Sequence, residues 1–287
     1  MKLLLAIDGS DESYEAIRAL PYIQCSEAVH IVHVLDVPTP PYPMMVPEVS
    51  QELYATVARN MREDGARLLK QIVARLPMGI GPVTTHLPTG SPADQIVMLA
   101  EQQNIDLILL GTRGFGPIKE RLLGSVAHRI LTYAPGAKLI FPGPLKALER
   151  ILLPLQGTTD TDQALHFLQQ KPFREPPTIT LFTVLPHTKP PWPVDAASTE
   201  QMEIHALRHA QDFLNDTAAK LHALGYRTRI TTAFGTPVEE ILETARSWNP
   251  DLILIGSRGR HGITRMVLGS VSHALLHQGR YPLMVFE

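Results

Sequence analysis

The sequence predicts an open parallel α/β sandwich built twice in tandem, and three observations carry that expectation. Short apolar runs such as residues 107–110 stop abruptly at a glycine, here Gly111, as buried parallel strands do. Amphipathic stretches separate these runs, giving the order β-α-β-α-β-α-β-α-β. The pattern then recurs. Asp106-Leu-Ile-Leu-Leu-Gly111 is answered by Asp251-Leu-Ile-Leu-Ile-Gly256, and Gly90-Ser91-Pro92 by Gly235-Thr236-Pro237, both at an offset of 145 residues. Two spacings kept over that distance mark a duplication.

In the first half, residues 3–7 form a first strand that ends in Asp8-Gly9-Ser10-Asp11-Glu12-Ser13, a turn cluster that also supplies helix caps. A helix through Ala16, Ile17, Ala19 and Leu20 follows, then a strand over 29–35. Residues 38–47 are proline-rich and read as a loop walling a site. Leu53, Val57, Met61, Leu68, Leu69, Ile72 and Leu76 place a long helix over 50–76. A short strand over 83–87 follows, and Ser91-Pro92 opens the next helix with proline in its first turn. The glycine strand, a helix from Ser125 and a last strand over 138–141 complete the half. In the second half the corresponding segments are strands at 150–155, 178–185, 226–232 and 283–286, a proline-rich loop at 186–194 and a long helix at 198–224.

The length of 287 residues fits two domains of about 140 each, set at 1–142 and 149–287 around a short proline-bearing linker. A short linker keeps the halves adjacent, so they are expected to pack as an intramolecular pseudo-dimer. A net charge of −2 argues against a broad nucleic-acid surface. The single Cys25 excludes an internal disulfide framework and suits a reducing cytoplasm. The apolar start of the chain stops at Asp8, too soon for a signal segment, and no run reaches the roughly 20 apolar residues of a membrane span. A cytoplasmic protein with no membrane partner is the expectation.

The chemistry concentrates at the glycines. Gly111 is followed by Arg113 and Gly114, then by Gly124-Ser125, where a helical pattern opens. The second copy gives Gly256, Arg258, Gly259 and Gly269-Ser270. Glycines after a strand let backbone approach an anion, and a helix start offers unpaired N–H groups and the positive end of its dipole. Arg113 and Arg258 stand where they can pair with phosphate or be solvated. Asp8 can hold a ribose diol or cap the first helix. In the second half Gln156 stands at its position and is a poor Mg²⁺ ligand. Ser125/His128 and Ser270/His273 have nucleophile–base spacing but no orienting acid, so no catalytic residue is assigned. His205 and His209 have metal-ligand spacing without a completing residue, and no metal site is assigned.

These residues resemble the universal stress protein family in its tandem two-domain form, whose nucleotide motif G-x2-G-x9-G-[S/T] occurs twice. The resemblance implies a Rossmann-like fold and adenine-nucleotide binding, with ATP and often Mg²⁺. In the ATP-binding branch an acid after the first strand and backbone after the second hold adenosine, which here points to Asp8 and Val34. Gly111, Gly114, Gly124, Ser125 and the Val126 amide would hold phosphates. In the second half Val184, Gly256, Gly259, Gly269 and Ser270 match, while Gln156 does not. The expected role is a binding and signalling module read by a protein partner or a further copy of the chain. The alternatives are a slow ATPase or phosphoryl-transfer enzyme, disfavoured because the Walker loop and its lysine are missing, and a nucleotide-independent scaffold whose second site is degenerate.

Overall fold

The computed structural model describes residues 1–25, 27–37, 47–112, 123–142, 145–187, 196–257, 269–278 and 280–287. The chain divides into two compact units, Met1–Pro144 and Leu145–Glu287.

Unit 1 contains β1 (Lys2–Ala6), α1 (Asp11–Ala19), β2 (Ala28–Val32), α2 (Pro47–Ala74), β3 (Val83–His86), α3 (Pro92–Gln103), β4 (Leu107–Gly111), α4 (Ser125–Tyr133) and β5 (Ala137–Phe141). Its strands run parallel in the order β3-β2-β1-β4-β5. The central strands are apolar on both faces because helices cover both: Leu3, Leu4 and Leu5 of β1 and Leu107, Ile108 and Leu109 of β4 are fully buried. Each such side chain contributes roughly 1.5–3 kcal/mol by burial. The edge strand β3 is Val-Thr-Thr-His and largely exposed, suited to a position with a partner on one side only.

Unit 2 repeats the arrangement with β6 (Arg150–Pro154), α5 (Thr158–Gln169), β7 (Thr178–Leu185), α6 (Ala196–Ala223), β8 (Arg227–Phe234), α7 (Pro237–Trp248), β9 (Leu252–Gly256), α8 (Ser270–Gln278) and β10 (Leu283–Phe286). Its strands are again parallel, in the order β10-β9-β6-β7-β8. Each unit therefore has a switch point, between β1 and β4 and between β6 and β9, where strand order reverses. The carboxyl ends of the strands diverge there and leave a crevice, which is where sheets of this kind take ligands.

Most elements fall where the sequence places them, and the differences have local causes. The apolar pattern over 29–35 predicts β2 through Leu35, but β2 ends at Val32 with an isolated bridge from Leu35 to Thr89. Pro88 interrupts the partner strand because it has no N–H to give the ladder. In unit 2 no proline intervenes, and the β7–β8 ladder runs unbroken to Leu185 and Phe234, so β8 extends past the expected end at 232. The expected proline-rich lids lie almost wholly outside the described residues.

Asp106 and Asp251, just before the glycine strands, each hold the start of the unit's first strand. Asp106 Oδ2 accepts the Lys2 N–H at 2.7 Å. Asp251 Oδ2 accepts the N–H groups of Glu149 and Arg150, each at 2.9 Å. Each carboxylate ties the start of its unit's first strand to the start of the neighbouring glycine strand. Among the described residues no helix is long and apolar enough to cross a membrane.

Candidate functional site

Asp8 leaves the end of β1, and Gly9 turns the chain with φ +90. Asp8 Oδ1 accepts both the N–H of Ser10, at 2.9 Å, and its hydroxyl, at 2.5 Å. Ser10 then caps α1, its Oγ accepting the Ser13 N–H. The helix cap is thus Ser10, and Asp8 orders the turn with one oxygen. Among the described residues Asp8 Oδ2 has no partner.

The ladder between β1 and β2 opens beside it. Ile7 donates its N–H to Val32 O at 2.9 Å, while His33 and Leu35 donate theirs toward β3, to His86 O and Pro88 O. Backbone groups on a strand alternate in direction, so Val34 faces the β1 side. Its next rungs would be Ile7 O and the Gly9 N–H. His33 Nδ1–H already donates to Ile7 O at 2.8 Å, and the Gly9 N–H turns to Ser13 Oγ at 3.2 Å. The N–H and C=O of Val34 are left without a partner among the described residues, as a donor and acceptor pair.

Beyond β4, Thr112 N–H donates to Phe141 O, and Thr112 O accepts the Gly124 N–H at 2.9 Å. Gly124 is the N-cap of α4 and brings no side chain to the first turn. The first helical acceptor, Gly124 O, is used by His128. The N–H groups of Ser125, Val126 and Ala127 have no acceptor inside the helix, and the dipole places about half a positive charge there. Gly111 has a packing reason to be glycine. A Cβ there would lie 2.8 Å from Glu12 Cβ and 3.0 Å from Glu12 C, so the close approach that requires glycine is made by α1. Arg113 and Gly114 lie outside the described residues, as do Arg258 and Gly259 of the second copy.

Unit 2 repeats this geometry with changed side chains. Leu155 donates its N–H to Phe182 O at 2.8 Å, and the Thr183 hydroxyl, in place of the His33 ring, donates to Leu155 O. Among the described residues Val184 is left open toward β6, as Val34 is toward β1. Ser257 O accepts the Gly269 N–H at 2.8 Å, and Ser272 Oγ donates to Gly256 O at 2.9 Å, fastening the first turn of α8 to the end of β9. Gly269 and Ser270 therefore sit as Gly124 and Ser125 do. Gln156 holds the Asp8 position, and its N–H donates to Asp160 Oδ2 at 3.1 Å. A carboxylate is present after all, four residues on in α5. Ser257 is 8% exposed and its Oγ is unpartnered among the described residues. A cavity of about 400 Å³ opens at the ends of β6 and β7, lined by Gln156, Gly157, Thr183, Val184, His209 and Phe213 among others. That volume is in the small-molecule range. His209, to which the sequence analysis assigned no metal, is part of this wall.

Sequence reasoning missed the clamp of His33 and Thr183 on the end of the first strand. The signal was available as two hydrogen-bonding residues at matched positions, each just before the open valine.

Two repeats of one fold, each with an open valine and a glycine at the helix start bonded back to the end of the glycine strand, invite comparison with known proteins. The profile of the universal stress protein family matches residues 1–142 and again 147–287. The chain belongs to the universal stress protein family. It carries the fold twice in tandem. A universal stress protein of Methanocaldococcus jannaschii is 32% identical over 147 residues, which is 50% of this chain and 84% of that one. One of Mycolicibacterium smegmatis is 24% identical over 298 residues, covering 99% of this chain and 96% of its own. The crystal structure of a universal stress protein of Archaeoglobus fulgidus superposes with a TM-score of 0.64 at 21% identity, over 99% of this chain and 97% of that one. Whole-length relatives and whole-length structural likeness agree on the tandem form.

Proposed function

We propose that unit 1 binds an adenine nucleotide, ATP with Mg²⁺, and that the protein is a stress-response signalling module whose ligand state is read by a partner or a further copy of the chain. The observation that carries this is the set of unused polar groups at the β1/β4 switch point. The Val34 N–H and C=O offer one donor and one acceptor to the edge of a base. Asp8 Oδ2 offers an acceptor to a ribose diol. The first turn of α4, from Ser125 with Val126, offers N–H groups to phosphate. Among the described residues no three potential ligands cluster for a metal, so Mg²⁺ would arrive with the phosphates rather than in a protein cage. The described residues offer no base aligned on a nucleophile, and hydrolysis, where it occurs, is slow.

A second reading concerns unit 2. Its cavity keeps the volume for a small molecule, and the open Val184 keeps the base-edge pair. The Gln156 amide lacks the charge of Asp8, so the same nucleotide binds there more weakly.

Native mass spectrometry of the full chain, followed by denaturing release and identification, tests both readings. One adenine nucleotide per chain is expected after purification. Asp8→Asn keeps an acceptor for the Ser10 turn but removes the charge. A hydrogen bond to a charged group is worth about 1.5–3 kcal/mol, so ATP affinity falls by about ten- to a hundredfold. Two equally tight nucleotides per chain would remove the asymmetry. A chain that carries none and takes up none at millimolar ATP with Mg²⁺ would overturn the nucleotide reading.

A further inference from the structure

The repeat is broken on the last helix of unit 2. α4 and α8 begin alike, Gly-Ser-Val-x-His, and His273 stands where His128 does. One turn later they part: unit 1 has Thr132, and unit 2 has His277. Residues four apart on a helix share a face. Here the two rings also converge. His273 Nε2 and His277 Nε2 lie 3.1 Å apart, with ring centroids 4.3 Å apart and planes tilted by 51°. His273 is exposed and His277 half-buried, so the pair is open to solvent.

We propose that His273 and His277 form a two-imidazole chelate for a divalent late transition ion, Cu²⁺ most tightly and Zn²⁺ less so. The geometry fits. With metal–nitrogen bonds of about 2.0–2.1 Å, two imidazole nitrogens on one ion stand about 3.0 Å apart at a right angle and about 3.4 Å apart at a tetrahedral one. The observed separation falls between them, so a turn of the two rings about their side-chain bonds brings both nitrogens onto one ion. Without metal, one Nε2–H donates to the other Nε2. With metal, that proton moves to the ring's Nδ1, and both Nε2 lone pairs face the ion. The Irving–Williams order sets the preference for Cu²⁺. Among the described residues no third histidine, cysteine or carboxylate joins the pair.

Spacing alone does not make such a site, and the same chain supplies the contrast. His205 and His209 on α6 are also four apart, yet no hydrogen bond or ring contact joins them, and His209 belongs to the cavity wall. The proposal is independent of nucleotide binding.

The test uses the full chain without an affinity tag, stripped with chelator and titrated with Cu²⁺ or Zn²⁺ alone in a calorimeter. Electron paramagnetic resonance counts the nitrogens on Cu²⁺. Wild type is expected to bind one Cu²⁺ in the micromolar range with two imidazole nitrogens. His277→Thr installs the residue that unit 1 carries at this place, and circular dichroism confirms its fold. Loss of outer-shell groups alone costs metal sites about 10–100-fold, so removing a ligand lowers Cu²⁺ affinity at least tenfold and leaves one nitrogen from the pair. His273→Gln does the same, and His205→Gln changes nothing. Unchanged affinity and an unchanged two-nitrogen signal in both α8 variants would overturn the proposal, as would a wild type that binds no Cu²⁺ below millimolar concentration.

Discussion

Gly111, singled out in the sequence as part of a repeated glycine pattern, also answers to a neighbour that the pattern does not show. A glycine at the end of a buried strand, opening a repeated glycine pattern, points toward an anion. The structure adds Glu12, whose backbone and Cβ occupy the space a side chain at 111 would need. Gly111→Ala is therefore expected to lower the stability of unit 1 by about 1–3 kcal/mol, as overpacking does. Urea unfolding measures this, and a variant as stable as wild type would show that α1 moves aside freely. The place of Asp8 at the end of β1 was legible because the apolar run stops there, and the duplication set Gln156 opposite it. The bond from His33 to the Ile7 carbonyl was not, because it joins residues 26 apart and depends on where two parallel strands stop in register.

At the scale of elements, strand ends were set by partners that local sequence does not show. The pattern through Val34 and Leu35 continues a strand, but Pro88 in the neighbour ends the ladder with β3, while on the opposite side Val34 is left open because Ile7 O and the Gly9 N–H turn to His33 and Ser13. The connection before the edge strand also differs. It runs from Arg75 to Pro82 in unit 1 and from Leu224 to Tyr226 in unit 2, five residues shorter. This accounts for the offset between repeats falling from 150 residues at Val184 to 145 at Gly235.

The β2–β3 pair carries a further difference. His30 Nδ1 lies 3.0 Å from His86 Nε2, while Thr180 and Thr231 occupy the matching places in unit 2. Burial holds both imidazoles below the ordinary histidine range, and for His30 the neighbouring His86 and Lys2 add to it. A depressed folded value means the unfolded chain binds more protons as pH falls below about 6.5. The stability this pair permits is complete above that value and is lost as pH falls through the folded one. A thermal melt series from pH 7.5 to 5 is expected to show a decline that flattens in His30→Thr/His86→Thr. Parallel pH profiles for wild type and the double variant would refute it.

At the scale of the whole molecule, duplication was the most legible feature, because periodic glycines and paired turns survive in sequence where packing does not. It yields two compact units. A ligand at one hundred times its dissociation constant stabilises the unit that binds it by about 2.7 kcal/mol. Differential scanning calorimetry with ATP and Mg²⁺ is expected to shift the unit 1 contribution upward by several degrees and to leave unit 2 behind, separating the two transitions. A uniform shift of both would mean equal sites.

The necks formed by Thr112 with Gly124 and by Ser257 with Gly269 carry a consequence for how such a chain can diversify. Each is a backbone hydrogen bond between the residue after the glycine strand and the start of the following helix, and eleven residues of sequence separate its two ends. Doubling the length of such a segment costs only about 0.6 kcal/mol in closure entropy. What lies beyond the neck can be exchanged, lengthened or grafted between the two halves while the strand and helix ends keep their places. The molecule thus offers evolution, or an engineer, two cassettes whose contents can vary independently of the frame that displays them.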